Sequence, residues 1–433
     1  MFQGILVIVV FLVLAVLMAT KKLPALFGLP LLAVFVAIVA GLPLRGEEGI
    51  IDLVLVSGTT YLHETMLLIL LACWLANIMS NTGVTQKMIK KAAELGGDKP
   101  IIIAILLCGV TAFLFTTLYG TGAAMLVAAI VLPIMISVGV EPKAAANLFL
   151  MSFGIGYSLN VTNMSAITKV AGIEFTDLTI PAVILAVGAA IFIVVYLGFL
   201  FRKGAKRVAF ATPVDDTEDT MPEEQQTVSG VRGFLAAMTP LLIVLLTLIL
   251  EIPPMACFYI GIVWLIAMTF IGSPKNYMNM LVSAFHQAGK DAAPPIGLCI
   301  GIGMALRAVA APTTQQVISP FINAIIPKSA IGLLIFLCIL APLVLYRGPL
   351  NAYGLGAGLL VSIVALGTFT PVIIGSLFYG LVRWANDGCP TSTVVVYASN
   401  FVGSDSVTVT NKLFTWRWVL TVVTLIAIFI YLI

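Results

Sequence analysis

Charged residues are scarce in this chain of 433 residues: 9% of them carry a charge, whereas 61% are apolar. An ordinary soluble domain has about 25% charged residues. A globular fold of this size could not bury so many apolar side chains, nor could 22 basic and 19 acidic residues cover its surface. A soluble protein is therefore excluded, and the lipid bilayer is the expected solvent.

The sequence also lacks the patterns of several kinds of site. Its six cysteines form no CxxC pair and no cluster with the two histidines, which argues against a metal site and a disulfide framework. The net charge is only +3 and no basic run alternates with aromatics, so nucleic acid is not an expected partner. An intramembrane enzyme is not expected either, because there is no Gly-x-Ser-x-Gly elbow and no His-Glu-x-x-His helix. No cofactor is predicted, and only Na⁺ as a coupling ion is left open.

The apolar residues form stretches long enough for transmembrane helices, which need about 20 residues each. Ten crossings are predicted at 3–20, 24–44, 64–82, 143–163, 178–201, 233–251, 254–272, 293–311, 370–389 and 413–432. Two further apolar blocks, 100–140 and 329–367, are broken in the middle by Gly and Pro and are interpreted as re-entrant hairpins. The predicted fold class is therefore an all-α polytopic membrane protein.

Basic residues fix the predicted orientation, because basic loops near spans stay in the cytoplasm. Most of the 22 Lys and Arg residues fall on one side of this topology. The other side holds Arg45, Lys169 and Lys328. Both termini are then expected outside, the polar stretch 203–232 becomes a cytoplasmic linker, and the expected location is a bacterial inner membrane.

An internal repeat appears at an offset near 226 residues. The matches that keep this register are Leu55-Val56-Ser57 with Leu281-Val282-Ser283, Cys73 with Cys299, Gly122 with Gly348, and Asn160 with Asn386. Repeat one is assigned to 1–202, with hairpin 100–140 and broken helix 143–173. Repeat two is assigned to 233–433, with hairpin 329–367 and broken helix 370–398. Five crossings per repeat, an odd number, predict two inverted-topology repeats, as in secondary transporters.

Four interruptions of the apolar pattern lie at repeat-related positions: the hairpin turns 116–122 and 346–351, and the breaks 158–163 and 386–393. Non-helical backbone inside a bilayer is costly unless it faces protein or a wet cavity. The N–H groups at the N-terminus of a half-helix attract an anion, while free carbonyl oxygens replace the water around Na⁺. A small-anion site with a neighbouring cation is therefore predicted where the four meet. Close packing of helices through small residues is the alternative.

Two charged residues stand out at these interruptions. Arg347 lies at a hairpin turn, where a bidentate grip on a carboxylate would offset the cost of a buried guanidinium, about 3 kcal/mol. Asp387 is the only acidic residue deep in a predicted span, and it is interpreted as a coupling-ion residue together with Asn160 and Asn386. Neutralisation of Arg347 or Arg383 is the alternative for Asp387, since Arg383 lies one turn away on the same helix face.

The hairpins and broken helices resemble the ion-transporter superfamily, which includes divalent anion/sodium symporters, citrate and gluconate permeases, and the large membrane subunit of tripartite ATP-independent periplasmic transporters. The most specific stretches run from Thr82-Gly83 to Gly96-Gly97-Asp98-Lys99-Pro100 and from Leu118-Tyr119-Gly120-Thr121-Gly122 to Leu132-Pro133-Ile134-Met135. The resemblance implies an elevator mechanism and a homodimer. It also implies substrate contacts at Thr117, Gly120, Thr121, Asn160 and Thr162 in the first half and at Arg347, Gly348, Asn351, Asn386 and Thr391 in the second. Asn163, in the first helix break, is a further predicted substrate contact.

The leading prediction is a secondary active importer of a small organic anion, with a carboxylate as the expected substrate and Na⁺ or H⁺ as the coupling ion. A cation/proton antiporter that uses Asp387 is one alternative, although an arginine at the hairpin turn would repel a cation. A membrane subunit that depends on an extracytoplasmic binding protein is another. A channel is a third, but inverted repeats around broken helices fit alternating access better.

Overall fold

The computed structural model describes residues 2–19, 22–202, 228, 230–348, 350–351 and 356–433, and of residues 15, 19 and 347 it describes the backbone alone. Regular secondary structure in these ranges is entirely helical. Most of the predicted linker 203–232 lies outside the described residues, as does Pro349 in the second hairpin turn.

The helices of the first half are α1 Phe2–Ala19, α2 Ala25–Ala40, a π-helical segment Ile50–Ser57 that continues into α3 Gly58–Thr60, α4 His63–Asn81, α5 Val84–Leu95, α6 Pro100–Leu114, α7 Thr121–Ser137, α8 Pro142–Ser158, α9 Val161–Ala171, a 3₁₀ turn Thr176–Leu178 and α10 Thr179–Arg202. Those of the second half are α11 Gly230–Ala237, α12 Thr239–Leu248, α13 Pro254–Thr269, α14 Pro274–Ala310, α15 Pro312–Ile325, α16 Ala330–Leu340, a 3₁₀ segment Ala341–Arg347, α17 Gly356–Ala365, α18 Pro371–Asp387, α19 Thr393–Phe401, α20 Ser406–Asn411 and α21 Phe414–Leu432.

Proline and glycine set several of these boundaries. Pro100, Pro142 and Pro371 open α6, α8 and α18, where the missing N–H is not needed and the fixed φ suits a helix. Gly41 and Gly172 end α2 and α9 in the left-handed conformation, which glycine adopts without a steric cost. The same residue types that suggested interruptions in the sequence therefore end the helices in the fold.

Four helices are long and apolar enough to cross a membrane, counted over the described ranges: Ile50–Asn81, Thr176–Arg202, Pro274–Ala310 and Phe414–Leu432. Three bent pairs bring the number to seven: α8 with α9 at 57°, α11 with α12 at 45°, and α15 with the segment Ala330–Tyr346 at 87°. Other apolar helices, such as α2 with 16 residues, are about 24 Å long against a hydrocarbon core of about 30 Å. The chain is a multi-pass all-α membrane protein, and the number of ten crossings stays a prediction.

Two of the predicted spans are parts of longer helices. The stretch 64–82 belongs to the continuous helix Ile50–Asn81, and 293–311 belongs to α14, Pro274–Ala310. Charged or titratable residues interrupt the apolar pattern just before each predicted span, at His63 and at Lys290-Asp291, so the sequence prediction begins both spans too late. The helix tolerates Asp291 in its interior because two amide side chains donate hydrogen bonds to its carboxylate.

The order of helices in the second half repeats that of the first. Pro254 opens α13 at 229 residues after Ala25 opens α2, and Pro371 opens α18 at 229 residues after Pro142 opens α8. The bent pair α8 and α9 corresponds to α18 and α19 at a similar offset. The bent pair of α15 with Ala330–Tyr346 corresponds to α5 and α6. The inverted-topology repeat itself stays a prediction.

Two apolar cores divide the interior. The first includes residues of α2, the C-terminal part of α14, and α16 to α18, and the second is built mainly from α4, α6 to α8, α10 and α13. Apolar side chains such as Val187, Ile191 and Val195 of α10 are exposed on the outside. Such faces suit contact with lipid chains, which are as apolar as the side chains themselves.

Candidate functional site

A cavity of about 200 Å³ lies where residues of both cores meet. It is smaller than the pockets of about 300–1,000 Å³ that hold drug-sized ligands, and its space corresponds to on the order of ten water molecules. Each of the four predicted interruptions contributes to its wall. The lining residues from them are Tyr119, Gly120 and Thr121; Thr162 and Asn163; Asn351; and Asn386, Cys389, Thr391, Ser392 and Thr393. Tyr157, just before the first break, also lines the cavity.

Asn160 holds the first hairpin turn against the first helix break. Its Oδ1 accepts hydrogen bonds from the backbone N–H groups of Thr162 and Asn163 at 3.1 and 3.2 Å, which caps α9. Its Nδ2 donates to the carbonyl oxygens of Phe115 and Leu118 at 2.9 and 3.2 Å. A side-chain amide has two donor hydrogens and two acceptor lone pairs, so these four bonds use its full capacity. Asn160 thus positions the turn against the break and does not line the cavity; its predicted contact with substrate or coupling ion stays a prediction.

The second hairpin turn is attached to the second break through sulfur. Tyr346 adopts a left-handed conformation with φ 54°, and its N–H donates to Sγ of Cys389 at 3.1 Å. Asn351 folds back within the turn, because its Nδ2 donates to the carbonyl of Val344 at 3.2 Å. Cys389 and Asn351 both line the cavity. The two halves therefore reach the same cavity with differently built turns.

Three half-helices present their N-termini to the cavity: α7 at Thr121, α9 at Thr162 and α19 at Thr393. The N-cap residues of α7 and α19, Gly120 and Ser392, make no side-chain capping bond. The first N–H groups of these two helices thus lack a capping side chain, and the partial positive charge of each helix end favours an anion. Thr162 adds a hydroxyl that is 1% exposed and has no hydrogen-bond partner among the described residues.

Asp291 of α14 lies in the same wall, and the sequence interpretation missed it. It is 9% exposed, and its carboxylate accepts hydrogen bonds from Nδ2 of Asn77 at 3.0 Å and Nε2 of Gln287 at 3.3 Å. It is the one charged side chain among the described residues that line the cavity, and none of those residues is Lys or Arg. Asp291 escaped the sequence prediction because α14 begins well before the predicted span 293–311. No sequence signal marks Asp291 as a site residue, because it follows Lys290 and precedes the predicted span 293–311.

Asp387 lies outside the cavity wall in a buried ion cluster. Its Oδ2 accepts a hydrogen bond from Nη1 of Arg383 at 2.9 Å, and its Oδ1 lies 3.7 Å from Nε of Arg417. The side chains of Arg383, Asp387 and Arg417 are all 0% exposed. Nη2 of Arg383 also donates a hydrogen bond to Oγ1 of Thr421 at 3.3 Å. The predicted Arg383–Asp387 ion pair is confirmed, whereas Arg417 was not foreseen as a member. A coupling role for Asp387 stays a prediction.

The predicted site residues fall into three groups. Seven of them line the cavity: Gly120, Thr121, Thr162, Asn163, Asn351, Asn386 and Thr391. Four do not: Thr117, Asn160, Gly348 and Asp387. Thr117 is fully buried behind the first turn, with a hydroxyl that lacks a partner within the described part of the chain. The side chain of Arg347 lies outside what the structure describes, so its predicted contact stays a prediction.

Broken helices that enclose a small cavity with polar side chains in its wall, inside an all-helical membrane protein, are typical of membrane carriers for small solutes. Comparison with known families agrees with this class. The model of the C4-dicarboxylate anaerobic carrier family, DcuC, matches residues 2–348, and the chain belongs to this family. No curated protein matches the chain. The family is one of transporters, so the chain is not expected to be an enzyme. The match supports the resemblance to carboxylate transporters, but not the particular superfamily members named above.

Proposed function

We propose that the chain is a secondary active transporter that imports a C4-dicarboxylate, coupled to H⁺ or Na⁺, and that the cavity is its substrate site. The observation that carries this proposal is the meeting of three half-helix N-termini, two of them without a capping side chain, at one small cavity. A dicarboxylate has two separated negative groups, and helix N-termini bind such groups through backbone N–H donors. The family of the chain points to the same substrate class.

The repeated order of helices supports the inverted-repeat prediction. The breaks after Ser158 and Asp387 fall at comparable places in the two halves, and residues beside both breaks line the cavity. In transporters of this design, substrate binds near the midplane while one unit moves against another. We infer elevator-type alternating access on this basis. A homodimer, a bacterial inner membrane and termini on the outside remain predictions of the sequence.

Thr162 gives a direct test of the cavity. Thr162→Val removes the unpartnered hydroxyl while it keeps the shape of the side chain, and a lost hydrogen bond to a charged ligand costs about 1.5–3 kcal/mol. We expect the apparent affinity for succinate to fall by about ten- to a hundredfold. The measurement is uptake of labelled succinate, fumarate and malate into proteoliposomes, with and without gradients of Na⁺ and pH.

Thr117→Val is the matched control, because Thr117 is also buried and unpartnered among the described residues but does not line the cavity. We expect near-normal uptake from this variant. If Thr117→Val lowered the affinity for succinate more than Thr162→Val did, the substrate site would lie at Thr117 and not in the cavity. Failure of the purified chain to move any dicarboxylate on its own would favour a carrier that depends on a binding protein.

A cation/proton antiporter fits less well. The helix ends at the cavity carry partial positive charge, which repels a cation substrate. An ion flux that is independent of organic anions would nevertheless support that alternative in the same vesicles.

A further inference from the structure

Asp291 occupies a place where a substrate carboxylate would also bind. Its two carboxylate oxygens lie against the first turn of α7. A β-carbon placed on Gly122 would lie 2.7 Å from Oδ2 and 2.8 Å from Oδ1. These distances are too short for any side chain, so glycine is what lets the carboxylate approach the helix N-terminus. Because α7 has no capping side chain of its own, Asp291 supplies the negative charge that its N-terminus favours.

Asp291 and an anionic substrate compete in this arrangement. Both are negative, both are attracted to the N-terminus of α7, and both occupy one small cavity. Two carboxylates that share a site do not both remain ionised easily, so binding of one favours protonation of the other. By linkage, protonation of Asp291 then strengthens substrate binding by the same factor.

The side chains around Asp291 favour a proton over a metal ion. The hydrogen bonds that the carboxylate receives come from the amide NH₂ groups of Asn77 and Gln287, and donors of this kind do not coordinate a cation. A carboxylate surrounded by donors can exchange a proton with water in the cavity.

Few other titratable groups face this carboxyl. The Cys73 thiol of α4 is its near neighbour, and Tyr119, Tyr157, Cys299 and Cys389 line the same cavity. On α14, His286 and Lys290 are close in sequence but exposed. Helices α2, α15 and α17, which pack on α14, carry no charged residue.

The remaining charged groups on the packed elements are distant. His63 and Glu64 of α4, and Lys275 and Arg307 of α14, lie 13 or more residues along their helices from Asn77 or Asp291, which is about 20 Å or more. Asp52 is exposed on the π-helical segment, which precedes α4. Asp291 is thus the main acid whose charge the substrate would meet.

We propose that Asp291 couples one proton to dicarboxylate binding. In the empty cavity the carboxylate of Asp291 lies against the first turn of α7. When a substrate carboxylate takes that place, Asp291 binds a proton from water on the open side, with a new O–H bond on its carboxyl group. The same proton returns to water on the opposite side when substrate leaves. This inference rests on the proposed function and selects H⁺ from the two coupling ions.

The test uses Asp291→Asn in the full-length protein, with Asp98→Asn as a matched control, since Asp98 is exposed between α5 and α6. We expect Asp291→Asn to exchange external labelled succinate for internal succinate but to lose accumulation driven by an inward proton gradient. Calorimetry in two buffers of different ionisation enthalpy should show about one proton taken up per succinate in the parent protein and none in Asp291→Asn. As the pH rises, the affinity of the parent protein for succinate should fall by up to about tenfold per pH unit, since binding takes up one proton. The affinity of Asp291→Asn for succinate should change less than twofold per pH unit.

Three results decide between the claims. Proton-driven accumulation by Asp291→Asn would overturn the coupling role. Loss of both exchange and succinate binding would also overturn it, because Asp291 would then serve binding or folding itself. If the parent protein neither binds nor moves any C4-dicarboxylate, the proposed function fails instead, and the coupling claim has no substrate to act on.

Discussion

The two helix breaks have comparable positions in the two halves, yet they are held by different chemistry. At the first break, the neutral Asn160 makes four hydrogen bonds that join the hairpin turn to the start of α9. At the second break, a buried cluster of Arg383, Asp387 and Arg417 lies beside the end of α18. The hydrogen bonds of Asn160 fix the cavity wall directly. The ion cluster stabilises α18 without lining the cavity, and the wall at the second break contains neutral residues such as Asn386 and Thr391.

This difference shows that charge at a helix break is not by itself a sign of a transport site. An ion cluster with 0% exposed side chains meets no solvent, whereas a substrate must exchange with water on both sides of the membrane. The charge that does meet the cavity is that of Asp291, on a helix outside both breaks.

The largest effect is expected at the second break. Asp387→Asn leaves two arginines facing each other without their counter-ion, and removal of one partner from a buried ion pair costs about 3–5 kcal/mol. Arg417→Gln should cost less, since the Arg383–Asp387 pair remains. Thermal unfolding in detergent, monitored by size-exclusion chromatography, would compare the stabilities of the two variants. Equal stability of Asp387→Asn and the parent protein would show that the cluster is not what holds this break.

A smaller effect is expected at the first break. Asn160→Ala removes the cap of α9 and leaves the carbonyls of Phe115 and Leu118 without that donor, which together cost about 2–4 kcal/mol. Asn160→Asp keeps an acceptor for the cap but loses the donors, so it should be intermediate in stability. The same unfolding measurement applies. If Asn160→Ala were as stable as the parent protein while its affinity for succinate fell, Asn160 would be a ligand residue as the sequence suggested.

The smallest effect concerns the surface on which the ion cluster rests. A β-carbon at Gly154 of α8 would lie 2.7 Å from Oδ2 of Asp387, so Gly154→Ala should destabilise by about 1–3 kcal/mol through overpacking. Gly109→Ala in α6 is the matched control, because open space surrounds that position. It should be neutral or stabilising by up to about 1 kcal/mol. Equal midpoints of unfolding for the two variants would mean that α8 does not press on the cluster.

Much of the fold could be predicted from sequence, because the relevant signals are local. Glycine, proline and asparagine interrupt apolar stretches at the same places where the helices end, and the i, i+4 spacing of Arg383 and Asp387 indicates their pairing. The identity of the cavity residues near these breaks followed from the same local pattern.

The remainder depends on contacts between distant parts of the chain. The hydrogen-bond partners of Asn160 lie 42 and 45 residues earlier, so its full engagement is invisible in the sequence. Asp291 is bound by Asn77, 214 residues away, and follows Lys290. In sequence it therefore looks like the charged end of a span. Only the packing of α14 against α4 brings it to the cavity.

The central claim is that the cavity between the four interruptions is the dicarboxylate site, and a structure determined by electron cryo-microscopy with saturating succinate tests it most directly. We predict ligand density within hydrogen-bond distance of Thr162 and of the N-termini of α7 and α19. Succinate bound elsewhere, with only water in this cavity, would contradict the claim.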